Sequence, residues 1–255
     1  MTTVLFDLAD GVATLTLNRP GVMNALNSAM RADLRQAIAR AADQARVLVL
    51  TGAGRAFCSG QDLAEAAPGA VDLGRVLAEE YEPLLTDLTA CPIPTLAAVN
   101  GAAAGAGANL ALACDVVIAA EGARFIQAFT RIGLIPDAGG TWVLPRQIGL
   151  ARAMGAMLFA EPVPARQAAD WGMIWQAVPD ADLAATVAQR AAQLAAGPTA
   201  AYRALKQALR AGLSNDLATQ LALEARLQDG CGQSQDFAEG VAAFLDKRAP
   251  RFAGR

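Results

Sequence analysis

Three short, unbroken apolar runs, each bordered by glycine or other small residues, constrain this chain more than any other feature. Val47-Leu48-Val49-Leu50 ends at Thr51-Gly52-Ala53-Gly54, Thr95-Leu96-Ala97-Ala98-Val99 ends at Asn100-Gly101, and Val116 to Ala119 follows a small-residue segment over 102–113. Runs of four or five apolar residues with no polar alternate suit strands buried on both faces. Such strands belong to parallel sheets, and parallel sheets need helical crossovers. The spacing supplies them. Asn27 or Ser28 can cap a helix running to about Asp43, with Met30, Leu34, Ala37 and Ile38 on one face, and a second helix fits 72–89. Upstream, residues 2–8 and 12–18 alternate around Asp10-Gly11, a hairpin signal.

Beyond about residue 140 helical patterns take over, at 147–159, 164–171, 181–195, 198–211, 214–228 and 233–246, with one short strand near Met173 to Ala177. Gly197-Pro198 reads as a boundary between helices. The expectation is therefore an α/β core over 1–195 and a helical C-terminal region over 196–255. Met154, Met157 and Phe159 read as core, and Glu65 to Asp72 as the most loop-like internal stretch, a candidate lid.

Composition narrows the chemistry. The 255 residues include no histidine, which excludes Ser-His-Asp and Cys-His catalysis and imidazole metal sites. Proton transfer near neutral pH falls to a carboxylate, Lys, Tyr, Cys or bound water. Hydrophobic residues make up 54% and charged ones 18%, far from the make-up of a disordered chain. A net charge of −3 with no Lys/Arg run lacks the footprint of a nucleic-acid or membrane-surface binder. Cys58, Cys91, Cys114 and Cys231 form no CxxC pair, so reduced thiols and no metal are expected. The N-terminus has no basic segment followed by an apolar one, and the most apolar stretch, Leu110 to Ala120, is broken by Asp115. A cytoplasmic protein is the expectation.

Gly52-Ala53-Gly54 and Gly105-Ala106-Gly107 each follow an apolar run, yet Phe57 and Leu110 stand where a dinucleotide fingerprint needs its third glycine, and neither carries the GK[ST] of a P-loop. Small residues there offer main-chain N–H groups instead. Two such turns feeding helix N-termini can aim two donors at one developing oxyanion, or can simply permit close packing.

Longer strings carry a family likeness. Gly54-Arg55-Ala56-Phe57-Cys58-Ser59-Gly60-Gln61-Asp62-Leu63, then Ala98-Val99-Asn100-Gly101 with Gly105-Ala106-Gly107, then Gly133-Leu134-Ile135-Pro136-Asp137-Ala138-Gly139-Gly140 together resemble the crotonase (enoyl-CoA hydratase/isomerase) superfamily. The likeness extends in register from Leu17-Asn18-Arg19-Pro20 to Phe244-Leu245-Asp246-Lys247-Arg248, essentially the whole chain. It implies a spiral of ββα units with a helical C-terminal trimerisation region, a homotrimer or hexamer, and acyl-CoA thioester substrates, CoA being part of the substrate and no separate cofactor being needed. It implies an oxyanion hole made by the main-chain N–H groups of Gln61 and Ala106, for which the side chains do not matter. It places Asp62 and Leu63 along the CoA chain, Phe244 and Lys247 at the adenine and 3′-phosphate, often across a subunit boundary, and Arg19 near the CoA phosphates.

The departures from the family pattern say more. The positions of the two hydratase glutamates hold Asn109 and Phe129, neither capable of acid–base work, so the resemblance argues against hydration. A branch of dehalogenases uses an aspartate matching Asp137, but with a histidine that this chain lacks. The string Gly133 to Arg146, with Ala103 to Ala108, Phe57 to Leu63, Trp171 to Gln176 and Glu239 to Leu245, is similar to the branch of 1,2-epoxyphenylacetyl-CoA isomerases, which form an oxepin-CoA and shift 3-enoyl-CoA to 2-enoyl-CoA with an aspartate matching Asp137. A single carboxylate can take the proton α to the thioester and return it further along, and burial among apolar neighbours should raise its pKa. Read without the resemblance, Asp137 is a helix N-cap for residues near 139–140. Asn109 is a supporting polar group, and Phe129 and Trp142 line a pocket for an aromatic or oxepin ring or pack in the core. The rival expectations are a straight-chain Δ3,Δ2-enoyl-CoA isomerase and an inactive acyl-CoA-binding protein.

Overall fold

The computed structural model describes residues 2–65 and 72–254. Strands β1 (Val4–Ala9) and β2 (Val12–Leu17) pair antiparallel through a two-residue turn in which Asp10 and Gly11 both take positive φ, 50° and 77°, as a hairpin that matches strand twist requires. Helix α1 (Ser28–Gln44) is capped by Asn27, whose side chain accepts from the Met30 amide; Met30, Leu34, Ile38 and Ala41 are its buried stripe.

Three units then repeat one pattern. In each, a first strand enters a large sheet, a second enters a small one, and helical structure follows. The pairs are β3 (Val47–Gly52) with β4 (Ala56–Cys58), β5 (Thr95–Val99) with β6 (Ala102–Ala104), and β7 (Val116–Ala120) with β8 (Arg124–Ile126). After β4 come α2 (Leu73–Val76), a π turn over Leu77–Tyr81, and α3 (Glu82–Thr89); after β6 comes α4 (Ala106–Leu112); after β8 a 3₁₀ turn over Ala128–Ile132 leads to α5 (Gly140–Phe159). Then β9 (Val163–Pro164) joins the small sheet, α6 (Ala165–Asp170) follows, and β10 (Gln176–Val178) closes the large sheet. The large sheet runs β1-β2-β3-β5-β7-β10, parallel from β2 onward; the small one runs β4-β6-β8-β9.

Alternation within the parallel strands feeds two cores. Leu48, Leu50, Ala97 and Val99 pack with α1, α3 and α4 on one face, while Val47, Val49, Leu96, Ala98 and Ile118 pack on the other against α7 (Leu183–Ala195) through Leu183, Val187 and Ala191. Both faces are covered, which is why the strands read as continuous apolar runs. Helices α8 (Thr199–Gly212), α9 (Leu217–Gly232) and α10 (Gln235–Leu245) complete the chain. Arg46, between α1 and β3, donates to the Gly197 carbonyl, the Thr199 hydroxyl and the Phe252 carbonyl, tying this region to the core. No helix among the described residues is long and apolar enough to cross a membrane.

Several expectations need correction. The helix placed at 147–159 starts earlier, at Gly140, and bends where Gly149 has non-helical angles. The helix placed at 72–89 contains the π turn. The segment 102–113 divides into β6 and α4. Met154 and Phe159 are not core: α5 buries Leu144, Ile148, Ala153 and Ala156, and the opposite face leaves Met154 half exposed and Phe159 75% exposed. Cys58, Cys91 and Cys114 are free and buried, and Cys231 is free and intermediate. Residues 66–71, most of the candidate lid, lie outside the described residues.

Candidate active site

The two glycine turns meet. Gly60 takes φ 91° beyond β4, and Gly105 takes φ 52° beyond β6. A Cβ on Gly60 would lie 2.7 Å from the Ala104 carbonyl oxygen and 3.3 Å from the Ala106 nitrogen, so only glycine lets the two turns approach this closely. A Cβ on Gly107 would sit 2.5 Å from the Cys58 carbonyl oxygen, and the first turn of α4 thus lies directly on the end of β4. The Gly60 amide donates to Cys58 Sγ at 3.4 Å; burial pushes that thiol up to about 12, so it packs and accepts rather than attacks. The residues after each positive-φ glycine are Gln61 and Ala106. Among the described residues, neither main-chain N–H meets an acceptor.

Gln61, Ala106, Leu63, Phe129, Asp137 and Trp142 line one cleft of about 1960 Å³, which continues to the apolar side of α8 at Leu205 and Leu209. Phe129 is buried, with its ring edge 3.7 Å from where a Gly105 Cβ would stand. Leu63 and Trp142 are half exposed at the cleft, Trp142 with the Arg146 guanidinium 4.3 Å over its ring.

Asp137 lies between the 3₁₀ turn and α5. It does not cap α5: the N-cap is Gly139, without a side-chain hydrogen bond, and the Gly140 amide donates to the Asp137 main-chain carbonyl at 2.9 Å. Its carboxylate is left free of that duty. Oδ1 is buried with no hydrogen-bond partner among the described residues, and burial raises the pKa to about 6, its own backbone amide opposing only in part. An ionisable oxygen held unsatisfied is the cost a reactive group carries.

Asn109 stands behind this loop rather than in the cleft. Buried on α4, it donates from Nδ2 to the Asp137 carbonyl at 2.8 Å and accepts at Oδ1 from Gln127 Nε2 at 2.8 Å. A Cβ on Gly140 would strike Asn109 Nδ2 at 2.4 Å, so the helix start is pressed against the amide.

Other expected residues lie elsewhere. Arg19 and Asp62 form an ion pair at 2.8 Å, Arg19 also donates to the Ala25 carbonyl, and the guanidinium holds the Asp62 carboxyl below its usual range. Neither lines the cleft. Phe244, 82% exposed near the end of α10, and exposed Lys247 beyond it do not reach the cleft of their own chain.

The structure adds residues that the sequence reading did not single out. Arg31 and Tyr81 both bond the Gln61 side chain, and Gln127 backs Asn109. Arg31 stands beside the apolar stripe of α1 and gives no periodic signal. Tyr81, one of only two tyrosines in the sequence, was the one available cue.

A model of the family described as Enoyl-CoA hydratase/isomerase matches residues 7–255. A probable enoyl-CoA hydratase of Rhodobacter capsulatus is 63% identical, covering 99% of this chain and 98% of its own. The 1,2-epoxyphenylacetyl-CoA isomerase of Escherichia coli K12 is 49% identical over the same shares, and the trans-2-decenoyl-[acyl-carrier-protein] isomerase of Streptococcus mutans is 35% identical, again over 99% and 98%. Among solved structures, an enoyl-CoA hydratase from Bacillus anthracis superposes with a TM-score of 0.94 at 34% identity, covering 99% of this chain and all of the other.

Proposed function

Since the chain belongs to the enoyl-CoA hydratase/isomerase family, we propose that it is an acyl-CoA isomerase in which Asp137 carries a proton along the acyl group. The observation that supports this most is the Asp137 carboxylate itself, its Oδ1 without a partner among the described residues, its pKa raised to about 6, and in one cleft with Gln61 and Ala106. At neutral pH such a group is mostly ionised and can take a proton, yet its conjugate acid is strong enough to return one.

On a 3-enoyl-CoA, the carboxylate removes a proton from C2. The C–H electron pair flows into a dienolate whose oxygen accepts from the Gln61 and Ala106 N–H groups, and the same carboxyl returns the proton to C4. On ring-1,2-epoxyphenylacetyl-CoA, electrocyclic opening of the arene oxide gives the oxepin framework, and the same transfer moves a proton from the carbon α to the thioester to a ring carbon. Atoms and charge balance with no cofactor beyond the CoA of the substrate. The 49% identical isomerase of Escherichia coli favours the epoxide as physiological substrate.

Asn109 and Phe129 complete the reading. Asn109 has both ends of its amide engaged, one by the Asp137 carbonyl and one by Gln127, so it holds the loop and leaves no group to activate water. Phe129 forms an apolar wall, with Trp142 at the acyl side and Leu63 along the CoA chain. Arg19 and Asp62 neutralise each other and fix the turn that presents Leu63. Phe244 and Lys247 would serve the CoA of a neighbouring subunit in a homotrimer or hexamer. The name of the 63% identical relative points to hydration, a reaction for which the positions of the two hydratase glutamates hold Asn109 and Phe129, neither an acid–base group.

The test is turnover by the purified protein of ring-1,2-epoxyphenylacetyl-CoA, a 3-enoyl-CoA and, for hydration, a 2-enoyl-CoA. Conversion of the first two with negligible hydration is expected; hydration as the dominant reaction overturns the reading. The straight-chain reading, which the Streptococcus mutans relative favours, is separated by the ratio of the two isomerisation rates.

A further inference from the structure

The side chain of Gln61 is clamped from two sides. Its Oε1 accepts from Arg31 Nη1 at 2.9 Å and from the Tyr81 hydroxyl at 2.6 Å. Arg31 is buried on α1, where Nη1 also donates to the Leu26 carbonyl at 2.7 Å and Nε and Nη2 bind Glu80. Tyr81 is buried at the end of the π turn, with its ring 4.9 Å from the Arg31 guanidinium carbon. The main chain around Gln61 is fixed as well: the Leu26 amide donates to the Gly60 carbonyl at 2.7 Å, and the Asp62 amide donates to the Leu26 carbonyl at 3.1 Å. A glutamine in a turn needs none of this for folding alone. Two buried donors from two separate helical segments converge on one carbonyl oxygen, and the N–H of that same residue, beside the cleft, has no acceptor among the described residues.

We infer that Arg31 and Tyr81 are positioning residues, which through the Gln61 side-chain carbonyl set the direction of the Gln61 main-chain N–H toward the thioester oxygen. The inference rests on the proposed role of that N–H as an oxyanion donor. A donor off by about an ångström loses most of its effect, since rate depends steeply on such placement. The π turn has a reason on this account: it widens the helix by one residue where Tyr81 must turn its hydroxyl inward, and such turns concentrate at functional sites. The side chain at position 61 is therefore part of the machinery, not an incidental occupant of a main-chain site.

The probe is cinnamoyl-CoA, whose conjugated thioester absorbs at longer wavelength when its carbonyl is polarised and which has no C4 proton to transfer. Tyr81→Phe removes one hydroxyl and keeps the ring, and Gln61→Ala removes the clamped carbonyl and keeps the N–H. With wild type, binding is expected to move the absorbance to longer wavelength. With either variant the shift should shrink, and kcat on a 3-enoyl-CoA should fall about 10-fold with little change in KM or Tm. If wild type shows the shift and both variants keep it along with full kcat, the clamp is structural only and the inference is overturned, while the oxyanion role stands. If wild type shows no shift, the oxyanion role of Gln61 fails and this inference fails with it.

Discussion

Asp137 carries a stability penalty and, on the proposed mechanism, the proton transfer, and the two are expected to titrate together. Its folded pKa of about 6 lies above the ordinary value of 3.8, so the folded state holds the proton more tightly than the unfolded one. The penalty is full above about pH 6 and fades as pH falls toward 3.8. Asp137→Asn is therefore expected to raise Tm at pH 7.5 by ~2–4 °C, the shift that about 1 kcal/mol gives in a chain of this length, and to lose that advantage near pH 4; thermal melts at the two pH values check it. In the wild type, kcat/KM should rise with pH along an acid limb with a midpoint near 6, because the base must be ionised. A flat profile from pH 5 to 8 contradicts the assignment. Asp137 was singled out in the sequence through the Gly133 to Gly140 string, whereas its local reading as a cap is overturned by the structure. What decides between them is which oxygen the Gly140 amide meets, and that oxygen is on the main chain. Arg31 was illegible for the opposite reason. A charged residue flanking an apolar stripe looks solvated until Leu26, Gln61 and Glu80 close around it from distant parts of the chain.

Among elements, the long apolar runs and the Asp10-Gly11 hairpin were plain in sequence, since both signals are local. Strands β4, β6 and β8 were not: each spans three residues, too few for a period to register; β4 and β6 fell within glycine-rich or small-residue segments, and β8 was not read as an element. Those short strands are what carry the glycine turns to one another. Gly107→Ala should accordingly be severe, because its Cβ would meet Cys58 main chain and side chain within 2.7 Å; a loss of about 2–3 kcal/mol in denaturant unfolding, along with activity, is expected. Two cations of helix α8, Lys206 and Arg210, pair with Asp115, and Lys206 is the more buried. Lys206 Nζ donates to the Cys91 and Ile93 carbonyls, both at 2.7 Å, and pairs with Asp115 at 2.6 Å, with only 12% of its side chain exposed. Lys206→Met should release α8 from the core, which hydrogen exchange would record as faster exchange over 199–212 with the large sheet unchanged.

In the whole molecule, several large apolar side chains face outward on the C-terminal half. Leu150, Leu158 and Phe159 on α5, Leu209 on α8, and Phe244 on α10 are each more than 60% exposed. The misreading of Met154 and Phe159 as core follows from this, since periodicity reports that a face is apolar and not which chain it packs against. The proposed homotrimer or hexamer gives those faces a partner. Light scattering should find three or six times the 26.2 kDa of one chain, and a monomer at micromolar concentration contradicts the proposed assembly and the reach of Phe244 and Lys247 to a neighbour's CoA.

The central claim is that one carboxylate moves the proton. It is tested most directly by 3-enoyl-CoA isomerisation with wild type and Asp137→Asn side by side, each shown folded by its melting transition. The account predicts turnover by the wild type and a loss of about 10³-fold or more in kcat for the variant, the scale of removing an acid–base group, with KM little changed. A variant as active as the wild type contradicts it, leaving Asp137 a structural residue of the turn before α5.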